Sequence, residues 1–181
     1  MNKGFFLDRD GIINEVKVVD GITRGPDTLS EFRFKEGVLA FCEFLRNLDF
    51  KLIIVTNQPD VARGLQTRER VEEINRYILD TIQVEDLYVC YHDNADLCDC
   101  RKPKPGMLIR GAQAHHLSLT DSYMLGDRWS DVEAGKKAGC RTILYDNPYS
   151  SRNKCSPDYV VDSFEEIKLI IGTDHKKDET T

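Results

Sequence analysis

The chain has 181 residues, which is enough to bury a full hydrophobic core, and we expect one domain over residues 1–172. Its formal net charge is −6 and its pI is near 5.3. Proteins that bind nucleic acid or anionic membranes carry clustered Lys and Arg, so these values disfavour both partners and favour a small diffusible substrate. Because the N-terminus has no apolar signal region and no stretch is long enough to span a bilayer, we expect a cytoplasmic protein, and we expect a monomer.

Short apolar runs alternate with helical patterns along the chain. The apolar runs predict six strands, at 5–7, 52–55, 87–90, 123–125, 142–145 and 159–161. Apolar periodicity predicts helices over 38–48, from an N-cap at Thr67 to residue 82, and over 106–116, 130–138 and 163–171. For the fourth helix, Ser130 and Glu133 have the spacing of a capping box, and Gly139 is a stop signal. This alternation indicates an α/β fold with a doubly wound parallel sheet.

Two segments lack these patterns. Residues 12–35 are mostly irregular in sequence, and we expect them to form a loop over the functional site because they follow the first strand directly. Residues 173–181 are polar and terminal, so we expect a disordered tail there.

Two carboxylates, Asp8 and Asp10, end the first predicted strand. Their i, i+2 spacing places both side chains on one side of an extended chain, where they repel unless a cation or a proton is shared. A polar turn after a strand explains the pair equally well in isolation. Together with a divalent cation, however, the pair suits phosphoryl transfer, with one Asp as nucleophile and the other as acid and base.

Polar residues follow two further predicted strands at the point where each one ends. Thr56, Asn57 and Gln58 come after the second strand, and Asp127 comes after the fourth. Ligands of doubly wound sheets bind at the carboxyl ends of the strands, so the sequence predicts that these residues and the two carboxylates converge.

Three cysteines and one histidine fall within eleven residues, as Cys90, His92, Cys98 and Cys100. Three thiolates and one imidazole are the ligands of a closed tetrahedral zinc site. A closed site leaves no open coordination position, so we predict a structural zinc in a loop over residues 90–100. Free thiols beside a loop histidine are the alternative.

Four motifs stand in order along the chain, namely Asp8-x-Asp10-Gly11, Thr56-Asn57-Gln58, Arg101-Lys102-Pro103-Lys104-Pro105-Gly106 and Gly126-Asp127-x-x-x-Asp131. In this order they resemble the haloacid dehalogenase-like hydrolases over about residues 4–146. With the cysteine cluster, they are most similar to the small branch without a large cap domain, which includes heptose bisphosphate phosphatases and the histidinol-phosphate phosphatase domain.

The resemblance implies a role for each motif residue. Asp8 is the expected nucleophile and Asp10 the expected acid and base. Mg²⁺ is expected on the Asp8 carboxylate, the Asp10 backbone carbonyl and Asp127. Thr56 and Lys102 are expected to stabilise the transferring phosphoryl group.

The remaining expectations concern the substrate. Asn57, Arg101 and Arg128 are expected to contact it, with Arg101 gripping a second anionic group. Lys104 competes with Lys102 for the phosphoryl group, and we prefer Lys102 because it matches the family lysine before Pro. Asp131 is either a support for the metal site or an acidic residue in a first helical turn.

The resemblance therefore implies a phosphatase that acts on a small phosphorylated metabolite. The 7-phosphate of a heptose 1,7-bisphosphate is the preferred target, and histidinol phosphate is the alternative, because the five residues between His92 and Cys98 are nearer to the histidinol-phosphate type. A catalytically dead binding module requires the loss of a key Asp, Thr or Lys, and none is missing.

Overall fold

The computed structural model describes residues 2–19, 22–150 and 152–178. Its strands are β1 (Asn2–Leu7), β2 (Lys17–Val19), β3 (Ile22–Arg24), β4 (Lys51–Asn57), β5 (Asp86–Cys90), β6 (Leu117–Gly126), β7 (Arg141–Tyr145) and β8 (Tyr159–Val161). Six of them pair in parallel in the order β5-β4-β1-β6-β7-β8. The other two, β2 and β3, form a small antiparallel hairpin.

Within the described residues, five α-helices cover the two faces of the sheet. They are α1 (Val38–Asn47), α2 (Arg68–Thr81), α3 (Gly106–His115), α4 (Trp129–Ala138) and α5 (Phe164–Asp178). The apolar faces of α1, α2 and α5 share one core cluster, and those of α3 and α4 share the other. This arrangement confirms the doubly wound α/β fold. Across the described part of the chain, no helix has the length and apolar character needed to cross a membrane.

The central strand β1 shows why its sequence is continuously apolar. Phe5 and Leu7 point into the cluster under α1, whereas Phe6 points into the cluster under α3, and all three are fully buried. Alternate residues of a strand face opposite sides, so a strand covered on both faces needs no polar alternation. Each buried side chain of this size contributes roughly 1.5–3 kcal/mol to stability, which fixes the strand that carries Asp8 at its end.

The start of α4 differs from the prediction. The helix begins at Trp129, and the Asp131 carboxylate accepts a hydrogen bond of 3.0 Å from the backbone N–H of Arg128. The capping box predicted at Ser130 and Glu133 is therefore wrong, because the N-cap is Arg128 and its backbone N–H is bound by Asp131 in the first turn. Gly139 does end the helix, in the left-handed conformation with φ of 89°.

The two irregular segments also contain structure that the sequence pattern does not reveal. Residues 12–35 include the β2–β3 hairpin and a short 3₁₀ turn over Leu29–Glu31. The tail expected to be disordered over 173–181 overlaps the end of α5, which continues to Asp178, and residues 179–181 lie outside the described residues. The carboxylate of Asp174 anchors this extension, since it accepts hydrogen bonds from the hydroxyls of Tyr123 at 2.8 Å and Tyr159 at 3.0 Å.

Candidate active site

A cavity of about 560 Å³ opens at the carboxyl ends of the central strands. The chain leaves β1 towards β4 and β5 and later returns on the other side of β1 through β6, so the direction of winding reverses between β1 and β6. A crevice at such a reversal is the usual ligand site of an open α/β sheet. Asp8 and Asp127 directly follow β1 and β6, and Thr56 is the penultimate residue of β4, so the three meet at this edge as the sequence predicts.

Lys102 lies at the centre of the site and is almost completely buried. Its ammonium is 2.8 Å from Asp8 Oδ1 and 2.7 Å from Asp131 Oδ1, and it donates to the backbone carbonyl of Val55 at 2.8 Å. Burial opposes its charge, but Asp131 and Asp8 together raise the pKa of Lys102. The amine therefore stays protonated and holds the Asp8 carboxylate in place.

The two oxygens of Asp8 are not equivalent. Oδ1 accepts hydrogen bonds from the backbone N–H of Arg9 at 2.8 Å and from Lys102 Nζ at 2.8 Å. Both bonds fall on one oxygen, which leaves Oδ2 to react or to bind a cation. Burial, only partly offset by the Lys102 charge, raises the pKa of Asp8 to about 6.

Asp127 is fully buried beside this pair, and among the described residues neither of its carboxylate oxygens accepts a hydrogen bond of good geometry. The Tyr149 hydroxyl faces this carboxylate, and burial together with Asp127 raises the pKa of Tyr149. The nearest guanidinium nitrogen, Arg128 Nε, lies 3.9 Å from Asp127 Oδ1. Burial and the charges of Asp8 and Asp131 raise the pKa of Asp127 well above its usual range. A buried carboxylate in this state is costly unless a cation is bound.

The charges around Asp127 match a divalent cation. Asp8, Asp127 and Asp131 each bring one ligand atom within 4.8 Å of the others. Three carboxylates face two cations, Lys102 and, at 3.9 Å from Asp127, Arg128, so negative charge remains in excess and favours a bound cation such as Mg²⁺. The donor set therefore fits a hard divalent cation.

Asp10 is held on the other side of the cavity. Its carboxylate accepts hydrogen bonds from Gln58 Nε2 at 2.7 Å, from Asn14 Nδ2 at 3.0 Å and from the guanidinium of Arg9 at 3.0 to 3.1 Å. Although burial opposes the effect, the Arg9 charge and the bonds from Gln58 and Asn14 lower the pKa of Asp10. Gln58 Nε2 also donates to the Thr56 hydroxyl at 2.8 Å, which links the second motif to the acid.

Asn57 pairs with the backbone of Lys102 in both directions. Its side-chain amide donates to the Lys102 carbonyl at 3.0 Å, and its side-chain carbonyl accepts from the Lys102 N–H at 3.1 Å. Lys104 instead donates to the carbonyls of Leu97 and Cys98, at 3.3 and 2.6 Å. The structure thus places Lys102 in the site and Lys104 on the loop behind it.

Cys90, His92, Cys98 and Cys100 converge beside this loop. The Sγ–Sγ distances are 3.7 Å for Cys90–Cys98, 3.2 Å for Cys90–Cys100 and 3.5 Å for Cys98–Cys100, and His92 Nδ1 is 3.7 and 3.3 Å from the Sγ atoms of Cys90 and Cys100. Ligands about 2.3 Å from a tetrahedral zinc ion lie roughly 3.8 Å apart. The cluster fits one zinc ion.

The loop over residues 90–100 shapes the rim of the cavity. Arg101 donates to Asn94 Oδ1 at 2.8 Å and to the His92 carbonyl at 3.2 Å. Arg63, from the segment after β4, binds Asp93 through Nε at 3.0 Å and Nη2 at 2.7 Å. These hydrogen bonds from Arg63 lower the pKa of Asp93 to about 2. The rim is therefore braced between two loops, with Arg101 at its edge.

Residues 22–25 cover the opposite side of the cavity. Arg128 reaches this segment, where its Nη2 atom lies 3.5 Å from the Thr23 carbonyl oxygen. A Cβ atom on Gly25 would come within 2.5 Å of Asp10 Oδ1, so only glycine allows the backbone to approach the acid this closely. The loop predicted over the site is thus the β2–β3 hairpin and the residues that follow it.

Two contributors to the site, Arg9 and Asn14, were not singled out from the sequence. Both bind Asp10 and both are buried, whereas Gln58, which also binds Asp10, was predicted to converge with the carboxylates. Polar residues directly beside a carboxylate motif are the only signal that pointed to Arg9 and Asn14. For Asp131, the contact with Lys102 supports the first of the two readings left open, since the residue belongs to the site as well as to the helix start.

A carboxylate fixed by a buried lysine, a second carboxylate two residues later and an uncompensated Asp on a neighbouring strand define the class of haloacid dehalogenase-like phosphohydrolases. A family model described as HAD-hydrolase-like matches residues 99–167. The D-glycero-beta-D-manno-heptose-1,7-bisphosphate 7-phosphatase of Helicobacter pylori strain 26695 is 34% identical over 156 residues, which cover 81% of this chain and 86% of that protein. The protein of the same name from Yersinia pestis is 30% identical over 94% of this chain and 96% of its own length.

A solved structure agrees with these relatives. The D,D-heptose 1,7-bisphosphate phosphatase from B. bronchiseptica, complexed with magnesium and phosphate, superposes with a TM-score of 0.80 at 26% identity. The match covers 95% of this chain and 99% of that one. The chain therefore belongs to the D-glycero-beta-D-manno-heptose-1,7-bisphosphate 7-phosphatase family of haloacid dehalogenase-like hydrolases, and it is a phosphatase.

Proposed function

We propose that this protein is a Mg²⁺-dependent phosphomonoesterase that removes the 7-phosphate of D-glycero-D-manno-heptose 1,7-bisphosphate. One observation carries the chemistry: Asp8 is fixed 2.8 Å from Lys102, next to a buried Asp127 that accepts no hydrogen bond of good geometry among the described residues. The substrate rests on the relatives, which bear that activity in their names at 30 to 35% identity. The cytoplasmic location and the monomeric state remain predictions.

Some residues of the site would hold the metal, and others stabilise the phosphoryl group during the reaction. The Asp8 carboxylate, the backbone carbonyl of Asp10 and Asp127 would hold Mg²⁺. When bound, the ion neutralises charge between the nucleophile and the phosphoryl oxygens. Lys102 and the Thr56 hydroxyl stabilise the same oxygens as charge builds up on them.

The reaction proceeds in two displacements at phosphorus. Oδ2 of Asp8 attacks in line with the ester oxygen, so a bond from Asp8 to phosphorus forms as the bond to the sugar oxygen breaks. Because the folded site lowers the pKa of Asp10, this carboxylate first takes up a proton from solvent and then gives it to the leaving sugar oxygen. It then takes a proton from the water that attacks the aspartyl-phosphate, which releases inorganic phosphate and restores Asp8.

Arg101 and Arg128 are proposed to bind the rest of the substrate. Arg101 lies at the cavity edge, where its fork suits a second phosphate, and Arg128 lies between the metal site and the hairpin. For Asn57 we propose a different role from the predicted substrate contact. Its amide is engaged by the Lys102 backbone, so it positions the lysine.

Phosphate release from a panel of substrates tests the proposal. The panel contains heptose 1,7-bisphosphate, hexose bisphosphates and histidinol phosphate, each with and without Mg²⁺. We expect the highest kcat/KM for the heptose bisphosphate and no turnover without the metal. Histidinol phosphate carries a cationic amine and imidazole that fit poorly beside Arg101 and Lys102, so a preference for it would overturn the substrate assignment.

A further inference from the structure

Arg9 stands between the nucleophile and the acid, yet its side chain is 1% exposed and turns back onto Asp10. In an extended chain, a residue between two carboxylates points away from both. Here the guanidinium binds Asp10 Oδ1 through Nε at 3.1 Å and Nη2 at 3.0 Å, and Nη2 also reaches Asp10 Oδ2 at 3.1 Å. The chain buries a charged side chain on the catalytic acid, at a desolvation cost that only close pairing offsets.

The other end of the guanidinium is anchored on α2. Arg9 Nη1 donates to Asn75 Oδ1 at 3.0 Å, and Asn75 is 5% exposed. It is the polar member of a buried helix face otherwise made by Val71, Ile74 and Ile78. An amide on such a face is unfavourable unless it is hydrogen-bonded, so the contact with Arg9 accounts for it. The helix gives the guanidinium a fixed point outside the catalytic loop.

This clamp makes the two oxygens of Asp10 different. Oδ1 accepts from Arg9 Nε, from Arg9 Nη2 and from Asn14 Nδ2, so both of its lone pairs are used. Oδ2 accepts from Gln58 Nε2 at 2.7 Å and shares the Nη2 atom that already serves Oδ1. Oδ2 thus accepts from two donors and Oδ1 from three, so Oδ2 is the less occupied oxygen and the better placed to carry a proton.

We propose that Arg9, anchored through Asn75, is a positioning residue that fixes the Asp10 carboxylate so that Oδ2 transfers the proton to the leaving oxygen. The inference rests on the proposed acid and base role of Asp10. It adds a residue that acts through Asp10 and that touches neither the phosphoryl group nor the metal.

Two substrates with different leaving groups distinguish a positioning role of Arg9 from a merely structural one. A sugar oxygen leaves as a strongly basic alkoxide and needs the proton, whereas nitrophenolate is a stable anion and leaves without one. The ratio kcat/KM covers the steps up to formation of the aspartyl-phosphate. A misplaced acid thus lowers kcat/KM for a sugar phosphate and spares kcat/KM for p-nitrophenyl phosphate, while general damage to the site lowers both.

The test compares Arg9→Lys with Arg68→Lys, a matched change at an exposed arginine at the start of α2. Lysine keeps the charge but cannot bind two oxygens and Asn75 at once. We expect Arg9→Lys to lower kcat/KM at least about tenfold for the heptose bisphosphate, a part of the 10²–10⁴ that general acid catalysis contributes, and less than about threefold for p-nitrophenyl phosphate. Arg68→Lys should change neither.

Two further variants keep the test decisive if Arg9→Lys does not fold. Asn75→Ala keeps Arg9 but removes its hydrogen-bond partner on α2. It should also lower kcat/KM more for the heptose bisphosphate than for p-nitrophenyl phosphate, by a smaller factor than Arg9→Lys. Asp10→Asn removes the group through which Arg9 acts, so adding Arg9→Lys to it should cause no further selective loss. Equal losses on both substrates, or no loss on either, would overturn the inference.

The outcome does not depend on the natural substrate. If the wild-type protein fails to hydrolyse the heptose bisphosphate but hydrolyses another sugar phosphate, the proposed substrate fails. The comparison of Arg9 variants then runs on that sugar phosphate against p-nitrophenyl phosphate, with the same expected ratio.

Discussion

Two neighbouring carboxylates of this site, Asp131 and Asp127, are expected to have opposite effects on the stability of the folded protein. Asp131 is buried but paired with Lys102 at 2.7 Å, and it accepts the hydrogen bond that starts α4. Asp127 is equally buried and accepts no hydrogen bond of good geometry among the described side chains. We therefore expect the Asp131 carboxylate to stabilise the folded protein. We expect the Asp127 carboxylate to destabilise the folded protein when no metal is bound.

Substitution with asparagine should separate these roles. In protein without added Mg²⁺, Asp131→Asn should lower stability by about 1–3 kcal/mol, because Lys102 loses a buried charged partner. Asp127→Asn should raise the melting temperature by a few degrees, since about 1 kcal/mol corresponds to roughly 2–4 °C at this size, and it should abolish turnover. Thermal unfolding of both variants in the same buffer tests the contrast. A lower melting temperature for Asp127→Asn would mean that its charge is compensated in the folded protein.

At the scale of the elements, the loop over residues 90–100 fixes the positions of two cations of the site, Arg101 and Lys102. The loop is held by the brace from Asp93 to Arg63 and by the hydrogen bonds from Lys104, its four zinc-compatible side chains converge, and Arg101 and Lys102 follow directly. The cations at the rim and centre of the cavity therefore depend on how firmly the loop is fixed. Metal coordination of this kind contributes directly to folding free energy.

We therefore predict one tightly held zinc per chain, distinct from the Mg²⁺. Elemental analysis of protein purified without added metal should show it. Cys98→Ser should lower zinc content, melting temperature and kcat together, whereas Cys155→Ser, at a cysteine outside the cluster, should leave the zinc content unchanged. A zinc content near zero with full activity would rule out the structural role.

At the scale of the whole molecule, the sheet gathers residues that are more than a hundred positions apart in the chain. The strand pattern was enough to predict the parallel sheet and the convergence of Asp8, Thr56 and Asp127, because the carboxyl ends of parallel strands meet at one edge. The place of Lys102 in the site came from the family resemblance of its motif. The hairpin at β2 and β3 was missed, since its short exposed strands carry no buried apolar pattern. The end of α5 was missed because its anchor, Asp174, depends on tertiary contacts with Tyr123 and Tyr159.

The acidic centre also predicts how stability varies with pH. Folding raises the pKa of Asp8 from 3.8 to about 6, so the folded state binds more protons than the unfolded state between these values. The ionised Asp8 carboxylate therefore lowers the free energy of unfolding by its full amount above pH 6, and by less as the pH falls towards 4. The test uses protein dialysed without added Mg²⁺, and chelator is left out so that zinc stays bound. This protein should melt at a higher temperature at pH 5 than at pH 7. Saturating Mg²⁺ should reduce this difference, and a pH dependence unchanged by Mg²⁺ would contradict the assignment of the metal site.

The central claim, that phosphoryl transfer proceeds through Asp8, is tested most directly by trapping the intermediate. Enzyme in excess over heptose bisphosphate is mixed in the presence of Mg²⁺, quenched in acid within the first turnover and analysed by peptide mass spectrometry. We predict one phosphoryl group on the peptide that contains Asp8 in the wild-type protein, and none in Asp8→Asn. Product formation by Asp8→Asn at the wild-type rate, or a phosphoryl group on any other residue, would contradict the account.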